Sequence, residues 1–282
     1  MRINTNVSSL TAQAANMENN KNLGSSLEKL STGLAINKAS DNAAGLSIAD
    51  KLRTQASSLN QAIDNGNSAS AMLQIADQAM SEQSNILDTI KTKLVQASTA
   101  TTSTDGVNAL NADIQKLLTQ LDNIATDTNY NGIQLISDAA GTGAASAKVF
   151  QMGEKADTTI TLEGSINANT TGLSVLKSDM AFSTNASARD LLTKVNNALT
   201  SLNKMRSLVG STQNQVESSV RNLEVTTVNL KAAESVIRDV DYAAESANFN
   251  KLNVISQAGT YAISQANNVQ QNVMKLLLLL VV

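Results

Sequence analysis

The sequence predicts a mainly α fold, in which both chain ends form an elongated coiled-coil or helical bundle around a small β-hairpin-rich middle segment. Three observations support this prediction. Apolar residues recur every three or four positions over long stretches at both ends of the 282-residue chain. Neither stretch contains proline, the residue that most strongly breaks a helix. Glycine and short β-prone runs gather between the two stretches.

In the N-terminal part, the apolar residues form a stripe with a period near 3.5 residues, which is typical of a coiled coil. The stripe predicts one helix from about Ala44 to Ser98, roughly 80 Å long at 1.5 Å per residue, and a second from about Asp105 to Thr126. Before the long helix, the predicted seam residues are Ile3, Val7, Leu10, Leu27 and Leu30. Within the long helix they are Leu59, Ile63, Leu73, Leu87, Ile90 and Leu94.

The C-terminal part carries a more regular stripe. Ser187 and Asp190 have the spacing of a capping box and predict the start of a helix. Along the stripe, the predicted seam residues are Leu199, Leu202, Val209, Val216, Leu223 and Leu230, followed by Leu252, Ile255, Val269, Val273 and Leu276. A single helix cannot bury a stripe of this length. We therefore expect the two chain ends to pair with each other and with further copies of the chain.

The middle of the chain, residues 129–184, has a different composition. β-prone runs at Ile133–Ile136, Lys148–Met152 and Thr159–Leu162 are separated by turn residues, among them several glycines. This pattern predicts small hairpins rather than helix.

The composition argues against catalysis and against metal binding. The chain contains no cysteine and no histidine, and only 2% of its residues are aromatic. Disulfides and thiolate metal sites are therefore excluded, and the side chain best suited to acid–base chemistry at neutral pH is missing. A net charge of −3 provides no attraction to nucleic acid. We expect no enzyme activity, no catalytic or metal site, no cofactor and no nucleic-acid partner.

The two termini carry no membrane or secretion signal that we can identify. The apolar run Leu276–Val282 is far shorter than the about 20 residues of a membrane-spanning helix. The opening MRINTNVSSL has no apolar segment of the kind found in a signal peptide. We expect no membrane insertion and no cleaved signal.

Two long motifs resemble the terminal signatures of bacterial flagellins. The first is LSTGLAINKASDNAAGLSIADKL at residues 30–52, together with the opening MRINTNVSSL. The second is IRDVDYAAESANFNKLNVISQAGTYAISQANNVQQNVMKLL at residues 237–277. The stretch ILDTIKTKLVQAS at residues 86–98 resembles the flagellins of the Campylobacter and Helicobacter group.

The resemblance implies a structural subunit that polymerises into the extracellular flagellar filament for swimming motility. It implies export of the unfolded chain by the flagellar type III system and assembly at the distal tip. The implied partners are other copies of the chain, an export chaperone, the filament cap and hook-associated proteins. A hook–filament junction protein of the same family is the alternative, but the complete AAGLSIADKL and QANNVQQNV signatures favour the filament subunit.

The resemblance also implies a division of the chain into domains. Residues 1–40 and 241–282 would form the two halves of an inner coiled-coil domain, the first including a connecting spoke. Residues 41–128 and 185–240 would supply the helices of a bundle domain. Residues 129–184 would form a short, surface-exposed variable segment.

Several single positions are informative once the resemblance is stated. Flagellins usually have arginine where this chain has Ala35 and Val236, so any ion pair made by those arginines is absent here. Thr89, Ile90, Lys91, Thr92 and Lys93 replace the RVREL-type stretch seen by the flagellin-sensing Toll-like receptor, which implies weak or absent activation. O-linked sugars are expected on exposed hydroxyls of the middle segment, with Thr158, Thr159, Thr161, Ser165, Thr170 and Thr171 as candidates.

Overall fold

The computed structural model describes residues 5–137, 147–162 and 166–280, without the side chains of Met274 and residues 276–280. The helices in these residues are α1 Val7–Thr32, α2 Ala43–Ser98, α3 Thr104–Asp127, α4 Asn185–Arg238 and α5 Tyr242–Leu280. The strands are β1 Asn129–Tyr130, β2 Ile133–Gln134, β3 Lys148–Gln151 and β4 Thr159–Leu162. The predicted fold class, mainly α with small strand pairs in the middle, is confirmed.

The chain divides into two compact units. Unit 1 comprises Met1–Ala56 and Val228–Val282, and unit 2 comprises Ser57–Thr227. Unit 1 is therefore built from both chain ends, whereas unit 2 is built from one continuous segment.

Side-chain caps begin the helices where the sequence changes from turn to periodic pattern. Asn6 caps α1, Asn42 accepts from the backbone N–H of Gly45 in α2, and Ser103 caps α3. Each cap satisfies one of the backbone donors left free in the first helical turn. The cap of α4 lies three residues before the predicted one. The backbone N–H of Ser187 donates to the Thr184 hydroxyl, and the backbone N–H of Thr184 donates to the Ser187 hydroxyl. Thr184 is therefore the cap, and the helix begins at Asn185.

Unit 2 contains the apolar core. The part of α2 within unit 2 runs antiparallel to the corresponding part of α4, since Asp77 pairs with Arg206 while Ala97 contacts Asn185. α3 packs antiparallel to α2, with Lys93 bound to Asp113 near one end. The largest fully buried side chains include Leu87, Ile90, Leu94, Ile114, Leu118, Leu121 and Leu202. These helices exclude water from a core of aliphatic residues with almost no aromatic contribution.

The strands of the middle segment form two antiparallel pairs. β1 and β2 pair through Asn129 with Gln134 and Tyr130 with Ile133. The two-residue turn between them is Asn131-Gly132, and both residues have positive φ, as a type I′ hairpin requires. β3 pairs with β4 from Lys148 opposite Leu162 to Gln151 opposite Thr159. Ile160 and Leu162 of β4 are buried against the helices.

Two glycines of unit 2 should respond in opposite ways to the same substitution. A Cβ at Gly66 would lie 2.5 Å from Val220 Cγ2 and 2.7 Å from Met152 Cε, whereas one at Gly210 would have no atom within 4 Å. Gly66→Ala should destabilise unit 2 by about 1–3 kcal/mol through overpacking. Gly210→Ala should stabilise it by about 0.5–1 kcal/mol through the higher helix propensity of alanine. Thermal unfolding followed by circular dichroism measures both, and shifts of the same sign would contradict this packing.

Candidate assembly surfaces

The main contact within unit 1 is the antiparallel pairing of α1 with α5. Asn6 lies beside Ala266, Asn19 beside Leu252, and Ser26 beside Glu245, so rising residue numbers in α1 meet falling numbers in α5. The less exposed residues of α1 recur every three or four positions and are Asn6, Ser9, Ala12, Asn16, Asn19, Leu23, Ser26 and Leu30. Those of α5 recur in the same way from Glu245 and are Phe249, Leu252, Ser256, Gly259, Ile263, Ala266, Gln270 and Val273.

Much of this α1–α5 contact is polar or made by small residues. The Asn6 side-chain amide donates to the carbonyl of Ala266 (Nδ2–O 3.0 Å), and that of Asn19 donates to the carbonyl of Leu252 (Nδ2–O 3.0 Å). The Ser26 hydroxyl donates to the Glu245 carboxylate. Asn19 and Ser26 are buried polar side chains, 9% and 2% exposed.

Glu245 is held in its charged form by this contact. The hydrogen bond from Ser26 lowers the pKa of the Glu245 carboxyl below its ordinary value of 4.5, and a further hydrogen bond from Asn248 acts in the same direction. Partial burial opposes the shift. The hydroxyl therefore favours the carboxylate over the protonated acid.

The structure places the predicted seam residues of the chain ends on two different faces. Leu30, Leu252 and Val273 are half-buried, and the carbonyl of Leu252 accepts the hydrogen bond from Asn19 of α1. Most of the others are exposed: Val7, Leu10, Leu27, Ile255 and Val269. Ile3 and the side chain of Leu276 lie outside the described residues. Several large apolar residues of each helix thus lie outside the stripe that joins α1 to α5.

The exposed large apolar residues of α1 and α5 define what we call the outward apolar surface. Met17 and Tyr261 are among its most exposed members, at 69% and 74%. An apolar surface of this extent, left open by a single chain, is typical of a protein–protein interface. The outward apolar surface consists of Val7, Leu10, Met17, Leu27, Tyr242, Val254, Ile255, Tyr261 and Val269.

The connection between α1 and α2 is bound to the end of α4 within unit 1. The backbone N–H of Ala35 donates to the carbonyl of Arg238 (2.7 Å), and Leu34 forms an isolated antiparallel bridge with Asp239. The Arg238 guanidinium lies 3.8 Å from the Asp50 carboxylate. Val236, one of the two positions where flagellins usually have arginine, is 86% exposed. Its side chain makes no buried contact that would replace an ion pair.

In unit 2, the predicted bundle seam coincides with the core. Leu73, Leu87, Ile90, Leu94, Leu202, Val209 and Val216 are buried. Leu59, Ile63, Leu199 and Leu223 are half-buried. Leu230, the last residue of the predicted set, belongs to unit 1 and is also half-buried. α3 adds Ile114 and Leu121 to this core at the helical spacing that predicts α3, although the predicted bundle seam is limited to α2 and α4.

Polar anchors attach the segment after β4 to the helices of unit 2. Gln83 is fully buried in α2, and its side-chain amide donates to the carbonyls of Leu121 and Ala168 (Nε2–O 3.2 and 2.9 Å). The Asp122 carboxylate accepts from the backbone N–H of Thr170 (2.9 Å) and from the Thr170 hydroxyl (3.1 Å). In the sequence, the signal for this attachment is a polar residue, Gln83, at a seam position of α2.

The prediction of a sugar at Thr170 is therefore wrong. Its side chain is 5% exposed and its hydroxyl is used by Asp122, so an attached sugar would have to break this packing. Thr158, Thr159 and Thr171 are exposed and Thr161 is half-buried. Ser165 lies outside the described residues.

The stretch that replaces the receptor motif forms one turn and a half of α2. Ile90 is buried in the core, while Thr89 and Thr92 are exposed and Lys91 is half-buried. Lys93 forms an ion pair with Asp113 of α3 (Nζ–Oδ2 3.2 Å). Of the five residues, only Thr89 and Thr92 are therefore fully available for contact with another protein.

Two other kinds of site are absent from the described residues. In this part of the chain, no helix is both long and apolar enough to cross a membrane. The same residues contain no group of acidic side chains that could hold a metal ion.

Comparison with known proteins identifies the family. The model of the "Bacterial flagellin N-terminal helical region" matches residues 3–141, and that of the "Bacterial flagellin C-terminal helical region" matches residues 192–277. The flagellin of Bacillus subtilis is 34% identical over 308 residues, which cover 98% of this chain and 100% of that protein. The chain belongs to the bacterial flagellin family. Flagellins are structural proteins, and the chain is not an enzyme.

Two further flagellin-family relatives differ in how much of each protein is matched. Flagellin B of Helicobacter pylori is 52% identical over 159 residues, which are 56% of this chain and 30% of that protein. This identity supports the Helicobacter-like pattern at residues 86–98. The chain thus spans less than a third of that relative's length. A flagellar filament 30.7 kDa core protein of Treponema maltophilum is 31% identical over 98% of this chain and 100% of its own length.

Among solved structures, the flagellin chain is similar to that of Bacillus cereus flagellin. The TM-score is 0.48 at 24% sequence identity, over 57% of this chain and 88% of the other.

Acidification should weaken the pairing of α1 with α5. Because the folded pKa of Glu245 is depressed, its contribution to stability is fully present above the ordinary carboxyl pKa and is lost as the pH falls through the folded pKa. Ser26→Ala should lower stability at neutral pH and make the helical signal less sensitive to acid. Circular dichroism of the full chain during an acid titration measures this, with Ser25→Ala at an exposed neighbouring position as the control. Identical acid profiles for Ser26→Ala and the unmodified chain would contradict the assignment.

Proposed function

We propose that the chain is a structural subunit that polymerises into the extracellular bacterial flagellar filament and serves swimming motility. The observation that carries the proposal is the outward apolar surface, which the internal pairing of α1 with α5 leaves open. Full burial of one Leu, Val or Met side chain is worth roughly 1.5–3 kcal/mol. A surface with nine exposed large apolar residues, three of them valines, therefore provides a large driving force for contact between copies. Membership of the flagellin family supports the same conclusion.

The finer parts of the proposal follow the family resemblance. The chain is exported unfolded by the flagellar type III system and assembles at the distal tip, with an export chaperone, the filament cap and hook-associated proteins as partners. The absence of cysteine from the sequence suits a chain that must stay free of cross-links during export. The chain should be missing from the medium of cells that lack the export apparatus.

We also propose the division into an inner coiled-coil domain (residues 1–40 and 241–282), a bundle domain (41–128 and 185–240) and a variable segment (129–184). The proposed boundaries near 40 and 240 lie in or beside the short connections between α1 and α2 and between α4 and α5. Proteolytic cleavage confined to these connections would support the division, whereas first cleavage inside α2 or α4 would oppose it.

Polymer formation should depend on the outward apolar surface. Leu10 is 54% exposed in the single chain, and Leu10→Asp would place an unpaired carboxylate in the interface, which is strongly unfavourable. Sedimentation of filaments grown from seeds should show loss of polymer, while thermal unfolding of unit 2 stays unchanged. Gln13→Glu, which adds the same charge at an exposed polar position of α1, is the matched control.

Equal sedimentation of the Leu10→Asp and unmodified chains would contradict the proposed role of this surface. Electron microscopy of the pellet distinguishes the alternative function. A hook–filament junction protein would add a short terminal layer to the seeds, whereas a filament subunit extends them over micrometre lengths.

We propose O-linked sugars on Thr158, Thr159, Thr161 and Thr171, with Ser165 retained as a candidate. Exposure of the first two and of Thr171 supports this set. Peptide mass spectrometry of chain isolated from its host should find sugars on these residues and none on Thr170. A sugar on Thr170 in the folded chain would contradict the burial of its hydroxyl.

We propose that the chain activates the flagellin-sensing Toll-like receptor weakly or not at all. Thr89 replaces the first arginine of the RVREL-type stretch, and Lys91 presents a single ammonium group rather than the bidentate fork of arginine. A reporter-cell assay with purified soluble chain measures the response against an RVREL-type flagellin. A response of equal strength would refute the proposal.

A further inference from the structure

The contact face between α1 and α5 combines burial with polar chemistry. Asn19 and Ser26 are buried there, although valine and leucine residues of the same helix are exposed. Burying a polar side chain is less favourable than burying an apolar one of similar size, even when its hydrogen bonds are made. Buried polar side chains need hydrogen-bond partners, so these two residues restrict what α5 can place opposite them.

The polar contacts are regularly spaced along α5. The α5 residues involved, Glu245, Leu252, Gly259 and Ala266, are separated by seven residues each. Their partners on α1 are Ser26, Asn19, Asn16 and Asn6. Seven residues is the repeat at which a coiled coil can slip and still present equivalent positions.

Asn16 contributes a steric constraint rather than a hydrogen bond. Its side-chain oxygen Oδ1 is buried and has no hydrogen-bond partner. It lies 3.0 Å from where a Cβ would be at Gly259. Glycine is therefore the residue that accommodates Asn16 at this point of α5.

A slip of α5 by one heptad would disrupt the contacts of Ser26 and Asn16. If α5 moved in one direction, Ser26 would face Leu252 instead of Glu245, and Asn16 would meet the Cβ of Ala266. Moved in the other direction, Asn16 would meet the side chain of Leu252. Either slip separates the Ser26 hydroxyl from the Glu245 carboxylate, and a buried polar group left without a partner costs about 1–3 kcal/mol. The amides of Asn6 and Asn19 would meet another backbone carbonyl of α5, since every helical residue carries one.

We propose that Asn16 and Ser26 fix the register in which α5 pairs with α1. They act as positioning residues: they select one alignment of the two chain ends, and so determine which outward apolar residues of α1 lie level with those of α5. A buried asparagine in a coiled-coil seam is known to specify register at a cost in stability. The inference goes beyond the proposed function, because it concerns a contact inside one chain.

Thiol cross-linking in the full-length chain tests the register. The sequence contains no cysteine, so introduced pairs report without background. Ser256 Oγ lies 2.8 Å from Asn20 Oδ1, which makes Asn20→Cys with Ser256→Cys the in-register pair. Asn20→Cys with Ile263→Cys or with Phe249→Cys reports a slip of one heptad in either direction. A bifunctional thiol reagent shorter than about 10 Å, the rise of seven helical residues, separates the three.

We expect the in-register pair to cross-link at least about tenfold more than either slipped pair, as the loss of the Ser26 hydrogen bond predicts. Adding Ser26→Ala should reduce this preference by about fivefold or more, since it removes a hydrogen bond to a charged group. Ser25→Ala, on an exposed position of α1, is the matched control and should leave the preference unchanged. Helix content by circular dichroism should be retained in all variants.

A second pair of variants tests the steric part. Gly259→Ala should reduce the in-register preference, and Asn16→Ala should restore it in the double variant, which a simple loss of folding would not do. Cross-linking is measured in both the soluble and the sedimented fraction. If the chain forms no polymer, the proposed function fails, but the register can still be measured in the soluble fraction.

Equal cross-linking of the three pairs in the unmodified chain would overturn the inference. So would an in-register preference that survives Ser26→Ala, or the absence of any cross-link in both fractions.

Discussion

Antiparallel pairing of helices from opposite ends of the chain is the interaction on which both units depend. In unit 1, α1 pairs with α5 through residues as far apart in sequence as Asn6 and Ala266. In unit 2, α2 pairs with α4, as the ion pair of Asp77 with Arg206 shows. Long helices gain most of their stability from packing rather than from intrinsic propensity. Neither chain end therefore has a stable partner for its helix until the other end is present.

The two units bury very different side chains at these contacts. The core of unit 2 consists of aliphatic residues such as Leu87 and Val209 that are fully removed from water. The α1–α5 face of unit 1 includes asparagine, serine, glycine and glutamate, while large apolar residues of both helices such as Leu10 and Val269 are exposed. Unit 2 thus resembles an independently stable core, whereas unit 1 retains its hydrophobic driving force for contacts with other molecules. This distribution agrees with the role of a subunit in a polymer.

Polar groups in both units restrict how elements align rather than how strongly they pack. Gln83 and Asp122 attach the segment around Ala168 and Thr170 to α2 and α3 by hydrogen bonds that only one alignment satisfies. The close approach of Gly66 to Val220 has the same effect on α2 and α4, because a side chain at that point would separate the helices. Aliphatic packing alone is permissive about register, since one leucine position resembles the next. Directional bonds and tight steric fits remove that freedom.

The sequence by itself determined the fold class, the helix positions and the family. The predicted long helix from about Ala44 to Ser98 is α2, Ala43–Ser98, because apolar periodicity and the absence of proline are local properties that a reader can follow along the chain. Only the tertiary structure decided which face of α1 meets α5 and whether Thr170 is exposed. Periodicity selects an apolar stripe, through Val7 and Leu10, but the contact uses the stripe through Asn19 and Ser26. The physical reason is that a side chain's burial depends on partners distant in sequence: Leu252 for Asn19, and Asp122 for Thr170.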